Sequence, residues 1–127
     1  SMSRADVEKG ADAYMSGGPY ALAEDVVFTL ADSGEVYVGR EAISQMQSAW
    51  YGEMFVAGSE RLAMFIGDDG FAVEFKFEGT HIGDFYGIAA TGRTVSFPFV
   101  GAYQVEGSEI VAGRIYLPME RIKSQLT

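Results

Sequence analysis

F-A-V-E-F-K-F-E-G-T-H, residues 71–81, alternates without a break. Phe71, Val73, Phe75 and Phe77 share one parity, and Glu74, Lys76 and Glu78 take the other. Successive strand side chains point to opposite faces. The pattern therefore predicts an antiparallel strand with one packed face and one wet or interfacial face. Ahead of it, Ser59–Ile66 alternates loosely, and Gly67-Asp68-Asp69-Gly70 reads as a four-residue hairpin loop. Behind it, Thr94–Val105 predicts a further strand with Val95, Phe97, Phe99, Tyr103 and Val105 on one parity. Glu106-Gly107-Ser108 turns the chain, Glu109–Leu117 forms the last long strand, and Pro118–Leu126 closes in a helical turn or two.

The connection between two of these strands is G-T-H-I-G-D-F-Y-G-I-A-A-T-G-R, residues 79–93. It holds four glycines and the only histidine. Glycine permits positive φ and close backbone approach, so the segment reads as the bent rim of a cavity.

Upstream, residues 5–15 predict a helix with Val7, Ala11, Tyr14 and Met15 on one stripe, stopped by Ser16-Gly17-Gly18-Pro19. A short helical turn over Tyr20–Ala23 precedes a strand at Val26–Leu30. Asp32-Ser33-Gly34 is turn chemistry, Glu35–Val38 a short strand, and Glu41–Tyr51 a helix presenting Ile43, Met46, Gln47 and Trp50 on one face. Helices first and long strands after predict an α+β domain: a cone-shaped, curved antiparallel or mixed sheet with N-terminal helices packed across it and an apolar pocket between.

Composition narrows the function. The 127 residues fit one domain spanning 1–127, with residues 1–4 expected to be a tag remnant and disordered start. Hydrophobic content of 48% argues against disorder. A net charge of −9 repels phosphate backbones and anionic membranes, so neither nucleic acid nor membrane is an expected partner. No cysteine and a single histidine leave no thiolate chemistry and no histidine-rich metal site; a carboxylate-only Mg²⁺ or Ca²⁺ site stays open, without EF-hand-like spacing for it. With no apolar leader segment, the cytoplasm is the expected location.

A-E-D-V-V-F (23–28), V-G-R-E-A-I (38–43), G-T-H-x-G-D-F-x-G-x-A-A-T-G-R (79–93) and R-x-Y (114–116) with a trailing Q-L (125–126) stand in this order. The ordered set resembles the SnoaL-like polyketide cyclases of the nuclear transport factor 2 superfamily. The resemblance implies a cone-shaped fold, a homodimer formed through the outer sheet face with Glu74 and Lys76 near it, and proton-transfer chemistry that needs no metal or organic cofactor: cyclisation, isomerisation or dehydration. Epoxide hydrolysis is a weaker alternative. Such cyclases end the last strand on an inward aspartate, and this chain has Pro118 there. The two aspartates of ketosteroid isomerases fall at Leu30 and near Gly101. A pocket that only binds is therefore the alternative function.

The candidates for chemistry follow. His81 has the parity of Phe71, Phe75 and Phe77, and its ordinary pKa near ~6.5 suits proton transfer. Asp84, three residues on, could orient it. Arg114 and Tyr116 stand on the parity that the family turns inward, where they would stabilise an oxyanion. Asp32 is a further carboxylate near strand one. Tyr14, Trp50, Phe97, Phe99 and Tyr103 are expected to line a pocket for an apolar, carbonyl- or hydroxyl-bearing metabolite, flat and polycyclic or isoprenoid.

Overall fold

The computed structural model describes residues 3–18 and 21–127. Ser3 caps the first helix: its hydroxyl accepts the Asp6 N–H and the Asp6 carboxylate accepts the Ser3 N–H, both at 3.3 Å. Residues 3 and 4, expected to be disordered, thus cap and begin α1 (Arg4–Met15). Val7 and Ala11 bury one side of it. Gly10 admits the 107–108 turn so closely that a Cβ there would lie 2.9 Å from the Ser108 carbonyl oxygen.

The sheet has six strands: β1 (Leu22–Leu30), β2 (Val36–Val38), β3 (Phe55–Ile66), β4 (Gly70–His81), β5 (Thr94–Glu106) and β6 (Glu109–Tyr116). Their order is β2-β1-β6-β5-β4-β3. β1 runs parallel to β6 and every other pair is antiparallel, so the sheet is mixed and open, with β2 and β3 as its edges. Of the helical turn expected over Tyr20–Ala23, Tyr20 lies outside the described residues, and Leu22 and Ala23 belong to β1, where Leu22 pairs with Ile110. β3 starts at Phe55, four residues earlier than expected, because Phe55 already pairs with His81. The hairpin loop is three residues long, since Gly70 joins β4.

Alternation in β4 and β5 assembles the core. Phe71 faces Tyr103, Phe75 faces Phe99 and Phe77 faces Phe97 across the two strands. All three pairs stack, with centroids 4.9, 4.9 and 4.8 Å apart. Such pairs add about 0.5–1.5 kcal/mol each beyond the area they bury. Glu74, Lys76 and Glu78 lie on the outer face as expected, with Lys76 paired to Glu78 at 3.1 Å.

α2 (Arg40–Ser48) starts from Gly39 at φ 91, a conformation only glycine adopts cheaply. It passes into a π-helical turn, Ala49–Glu53, closed by the Met54 N–H on the Ala49 carbonyl at 2.7 Å. The expected helix over Glu41–Tyr51 is therefore two kinds of helix, and the wider turn carries Trp50 into the core. The C-terminal α3 (Met119–Gln125) buries Met119 and Ile122. Its Gln125 amide mimics a neighbouring strand: it accepts the Ser96 N–H at 2.8 Å and donates to the Ser96 carbonyl at 2.9 Å. Among the described residues, no helix is long and apolar enough to cross a membrane.

Candidate functional site

Between the inner sheet face and the helices lies a cavity of about 90 Å³. The wall is built from Tyr14 of α1, Met46 and Gln47 of α2, Trp50 and Tyr51 of the π turn, and the sheet residues Phe28, Leu30, Phe75, Phe77, Phe99, Tyr103, Ile115 and Leu117. The lining is aromatic and aliphatic, with one polar thread. Gln47 donates its side-chain N–H to the Tyr14 oxygen at 3.3 Å, and the Tyr103 hydroxyl donates to the same oxygen at 3.5 Å. Tyr14 thus accepts twice, and among the described residues no acceptor takes its own proton. Accepting hydrogen bonds polarises an O–H donor, so this proton is available to an acceptor in the cavity.

Burial raises the pKa of Tyr14 against the smaller opposing effect of its hydrogen bond with Tyr103. Tyr103 is pushed well above the ordinary phenol value, chiefly by burial and then by Tyr14. Both are neutral donors at neutral pH. Among the described residues, the cavity wall contains no carboxylate, imidazole or amine.

Tyr103 sits where it does because two glycines make room. A Cβ at Gly101 would overlap the Tyr103 hydroxyl and lie 2.5 Å from its Cζ. One at Gly113 would lie 2.7 Å from the Phe28 ring and 3.1 Å from that of Tyr103. Gly101 is the position where the resemblance implied a missing aspartate, and a phenol reaches into that space from two residues along the same strand.

A wider groove of about 820 Å³ adjoins the cavity and shares Tyr14, Gln47 and Phe75 with it. Its other walls include Met15, Leu22, Arg40 and Gln45, between the end of α1 and α2. Arg40 is engaged, donating to the Leu22 carbonyl at 2.8 Å. Small chamber and outer groove together form one cleft, closed by the sheet and open between the helices.

Of the residues expected to line a pocket, Tyr14, Trp50, Phe99 and Tyr103 do so. Phe97 is buried against Phe77 and is core rather than lining. The expected catalytic groups are elsewhere. His81 is fully buried but outside the cavity wall, with its ring against Phe55. Its Nδ1 accepts the Thr91 N–H at 3.1 Å and lies 2.9 Å from the Thr91 hydroxyl. Thr91, not Asp84, orients the ring. Asp84 is exposed and accepts the Gly87 N–H at 3.1 Å, capping the turn that holds Phe85 to Ile88.

Arg114 and Tyr116 face away from the cavity. Arg114 is exposed and donates to Gln104 across the sheet at 3.3 Å, and Tyr116 is also exposed. The inward residues of β6 are Ile110, then Gly113 and Ile115: parity reverses at Val111, where the β5–β6 register shifts. Asp32 is exposed in the turn after β1. It borders an outer groove with Glu74, Tyr116 and Pro118, and Phe99 and Leu117 stand between that groove and the cavity. Gln47 and Tyr51 were not read as site residues from sequence, although Gln47 was placed on the core-facing stripe of its helix. Its polarity amid Ile43, Met46 and Trp50 was the available signal.

A family model for SnoaL-like polyketide cyclases matches residues 12–126. The chain belongs to the SnoaL-like polyketide cyclase family. No curated protein matches its sequence. Among solved structures, a protein from Jannaschia sp. CCS1 named as a SnoaL-like polyketide cyclase aligns with a TM-score of 0.82 at 14% identity, covering 98% of this chain and 93% of its own. Another protein so named, from Mesorhizobium loti, aligns at 0.66 with 28% identity, covering 88% and 96%. A protein of unknown function from Burkholderia pseudomallei, described as like nuclear transport factor 2, aligns at 0.71 with 16% identity, covering 99% of each. The α+β cone is thus the SnoaL-like fold, and identities this low carry fold rather than reaction. Within that fold, the position where the resemblance implied an inward aspartate is Pro118, which begins α3 beside the outer groove.

Proposed function

We propose that this SnoaL-like domain binds a small apolar molecule through one acceptor oxygen, a carbonyl or ether, which accepts a hydrogen bond from the Tyr14 hydroxyl in the cavity. The supporting observation is the Gln47–Tyr14–Tyr103 thread in a wall that is otherwise apolar and holds no group that ionises near neutral pH. A cavity of about 90 Å³ is small beside the ~300–1,000 Å³ of ordinary ligand pockets, so it takes the acceptor end of the molecule. The remainder lies in the adjoining groove. This arrangement favours recognition over proton shuttling, because His81 and Asp84 are not in the wall.

Family membership supports a second reading, in which Tyr14, itself polarised by its donors Gln47 and Tyr103, polarises a carbonyl and eases enolisation for cyclisation or isomerisation while solvent takes the carbon-bound proton. Both readings use the same Tyr14 hydroxyl. Calorimetric titration of cyclohexanone against cyclohexane tests them. The ketone binds more tightly to the parent, and Tyr14→Phe removes about twofold to tenfold of that preference, the worth of one neutral hydrogen bond. A Tyr14→Phe protein that still prefers the ketone equally sinks the proposal, and protein-dependent isomerisation of an enone separates the second reading from the first.

We also infer that two copies pair through the outer sheet face. Phe65 and Tyr116, 66% and 49% exposed, lie there with Pro98, Val100 and Ala102 among scattered charges. Phe65 pairs with Ala72, which pairs with Ala102, and Val100 pairs with Tyr116, so these apolar residues adjoin across neighbouring strands rather than standing singly.

A further inference from the structure

A second recess, about 300 Å³, shares Met46 and Trp50 with the cavity and none of its other walls. Three aromatic side chains border it from three elements: Tyr37 of β2, Trp50 of the π turn, and Tyr86 of the connection after β4. The Trp50 and Tyr86 rings stand 6.5 Å apart at 52°. Met46 and Met54 fill the wall beside them.

Two carboxylates complete the recess. Glu35 accepts the Tyr37 hydroxyl at 2.5 Å on one oxygen and the Tyr86 hydroxyl at 2.6 Å on the other. That geometry ties both rings to one charge and leaves each oxygen a second lone pair. Burial alone would push the Glu35 pKa up, but the phenol hydrogen bonds and Ser33 outweigh it and hold the carboxyl below its usual value. Asp84 adds the second charge, with one oxygen on the Gly87 N–H. Tyr86 holds φ 47, a left-handed conformation unusual for a side chain of this size. The backbone is thus kept in a costly state that turns this ring toward Glu35 and Trp50. Among the described residues, no lysine or arginine borders the recess, and no three or more His, Cys, Asp and Glu side chains come together to hold a metal ion.

Negative charge framed by aromatic faces suits a particular class of ligand. Ring faces attract cations through their quadrupoles but give a metal no lone pair. A primary ammonium has three N–H groups to satisfy, and the rings and thioethers that form most of this wall offer it no acceptor beyond the remaining Glu35 and Asp84 lone pairs. An alkylated ammonium needs none, and its methyl groups pack on rings and thioethers. We propose that this recess binds a small alkylated ammonium ion, its charge opposite Glu35 and Asp84 and its alkyl groups against Tyr37, Trp50 and Tyr86. This site is separate from the carbonyl cavity and does not depend on the function proposed for it.

Trp50 is the only tryptophan and borders both the recess and the cavity, so its emission reports occupancy of either and the variants assign the response. The test is titration of the full chain with tetramethylammonium chloride, beside sodium chloride at equal ionic strength and neutral tert-butanol. Saturable change is expected with tetramethylammonium, none with sodium chloride, and a weaker response with tert-butanol. Tyr86→Ala and Glu35→Gln should each weaken the ammonium response about threefold to thirtyfold, the range of a partly desolvated cation–aromatic contact. Tyr86→Phe keeps the ring, loses only the bond to Glu35, and should show the smaller loss. Circular dichroism establishes that each variant is folded. Tyr103→Phe should leave ammonium binding intact. A response that does not saturate, that tert-butanol matches, or that Tyr103→Phe abolishes while folded Tyr86→Ala preserves it overturns the proposal.

Discussion

Replacing Gly101 with alanine should destabilise this protein, against the usual sign for a glycine in a strand. Elsewhere, exchanging strand glycine for alanine stabilises by about 0.4–1 kcal/mol, because the unfolded chain loses freedom. At Gly101 the new methyl would overlap the Tyr103 hydroxyl and lie 2.5 Å from Cζ and 2.7 Å from Cε2. The Tyr103 ring cannot simply move aside. It is stacked on Phe71 at 4.9 Å, lies 4.9 Å from Tyr14 and 5.8 Å from Phe28, and is 3% exposed. Overpacking of this kind costs about 1–3 kcal/mol. Displacing Tyr103 also breaks its bond to Tyr14, a further ~0.5–1.5 kcal/mol. After subtracting the entropic gain, the net loss centres near ~2 kcal/mol, or roughly 6–10 °C in Tm for a domain of this size. Urea unfolding at constant m-value measures it, with Gly58→Ala as the internal control, since nothing lies within 4 Å of a Cβ there. Gly101→Ala as stable as the parent would refute the placement of Tyr103 over Gly101 and, with it, the hydrogen-bonded thread in the cavity.

Tyrosine ionisation provides a second check: phenolate absorbance should show Tyr14 and Tyr103 deprotonating above the ordinary value of 10.0, with Tyr103 the more resistant. Unfolded phenols lose their protons near that value while the folded ones keep theirs, so stability is complete below pH ~10 and falls as pH rises through the folded pKa values. Unfolding free energy that is flat between pH ~9 and ~11 contradicts this account. For the sheet-face pairing, sedimentation should find a dimer that Tyr116→Asp converts to monomer. A parent protein that sediments as a monomer at every accessible concentration removes the interface.

The comparison of sequence with structure is clearest along β4 and β6. β4 has an unbroken register with β5, so each residue's parity in the sequence is its face in the fold. Phe71, Phe77, Phe99 and Tyr103 could therefore be placed inward by counting. β6 has the same outward look in sequence but contains an extra residue at Val111, after which parity reverses. Arg114 and Tyr116 consequently point outward, and no count along the strand reveals it. The His81–Asp84 pairing failed for another reason. The chain turns away after His81, whose N–H donates to Arg93, and the contact beside the ring is Thr91, ten residues on.

The sequence by itself determined the α+β cone, its order of helices and strands, and the aromatic character of its interior. These follow from period and composition, which are local properties that water enforces on every residue of a strand or helix. Tertiary structure alone decided which polar groups meet. Gln47, Tyr14 and Tyr103 come from two helices and a strand, and Glu35, Tyr37 and Tyr86 from two loops and an edge strand. Helix docking and backbone turns set those meetings, and a register shift set the outward face of Arg114 and Tyr116. A one-residue slip reverses the face of a side chain while leaving the hydrophobic pattern almost unchanged.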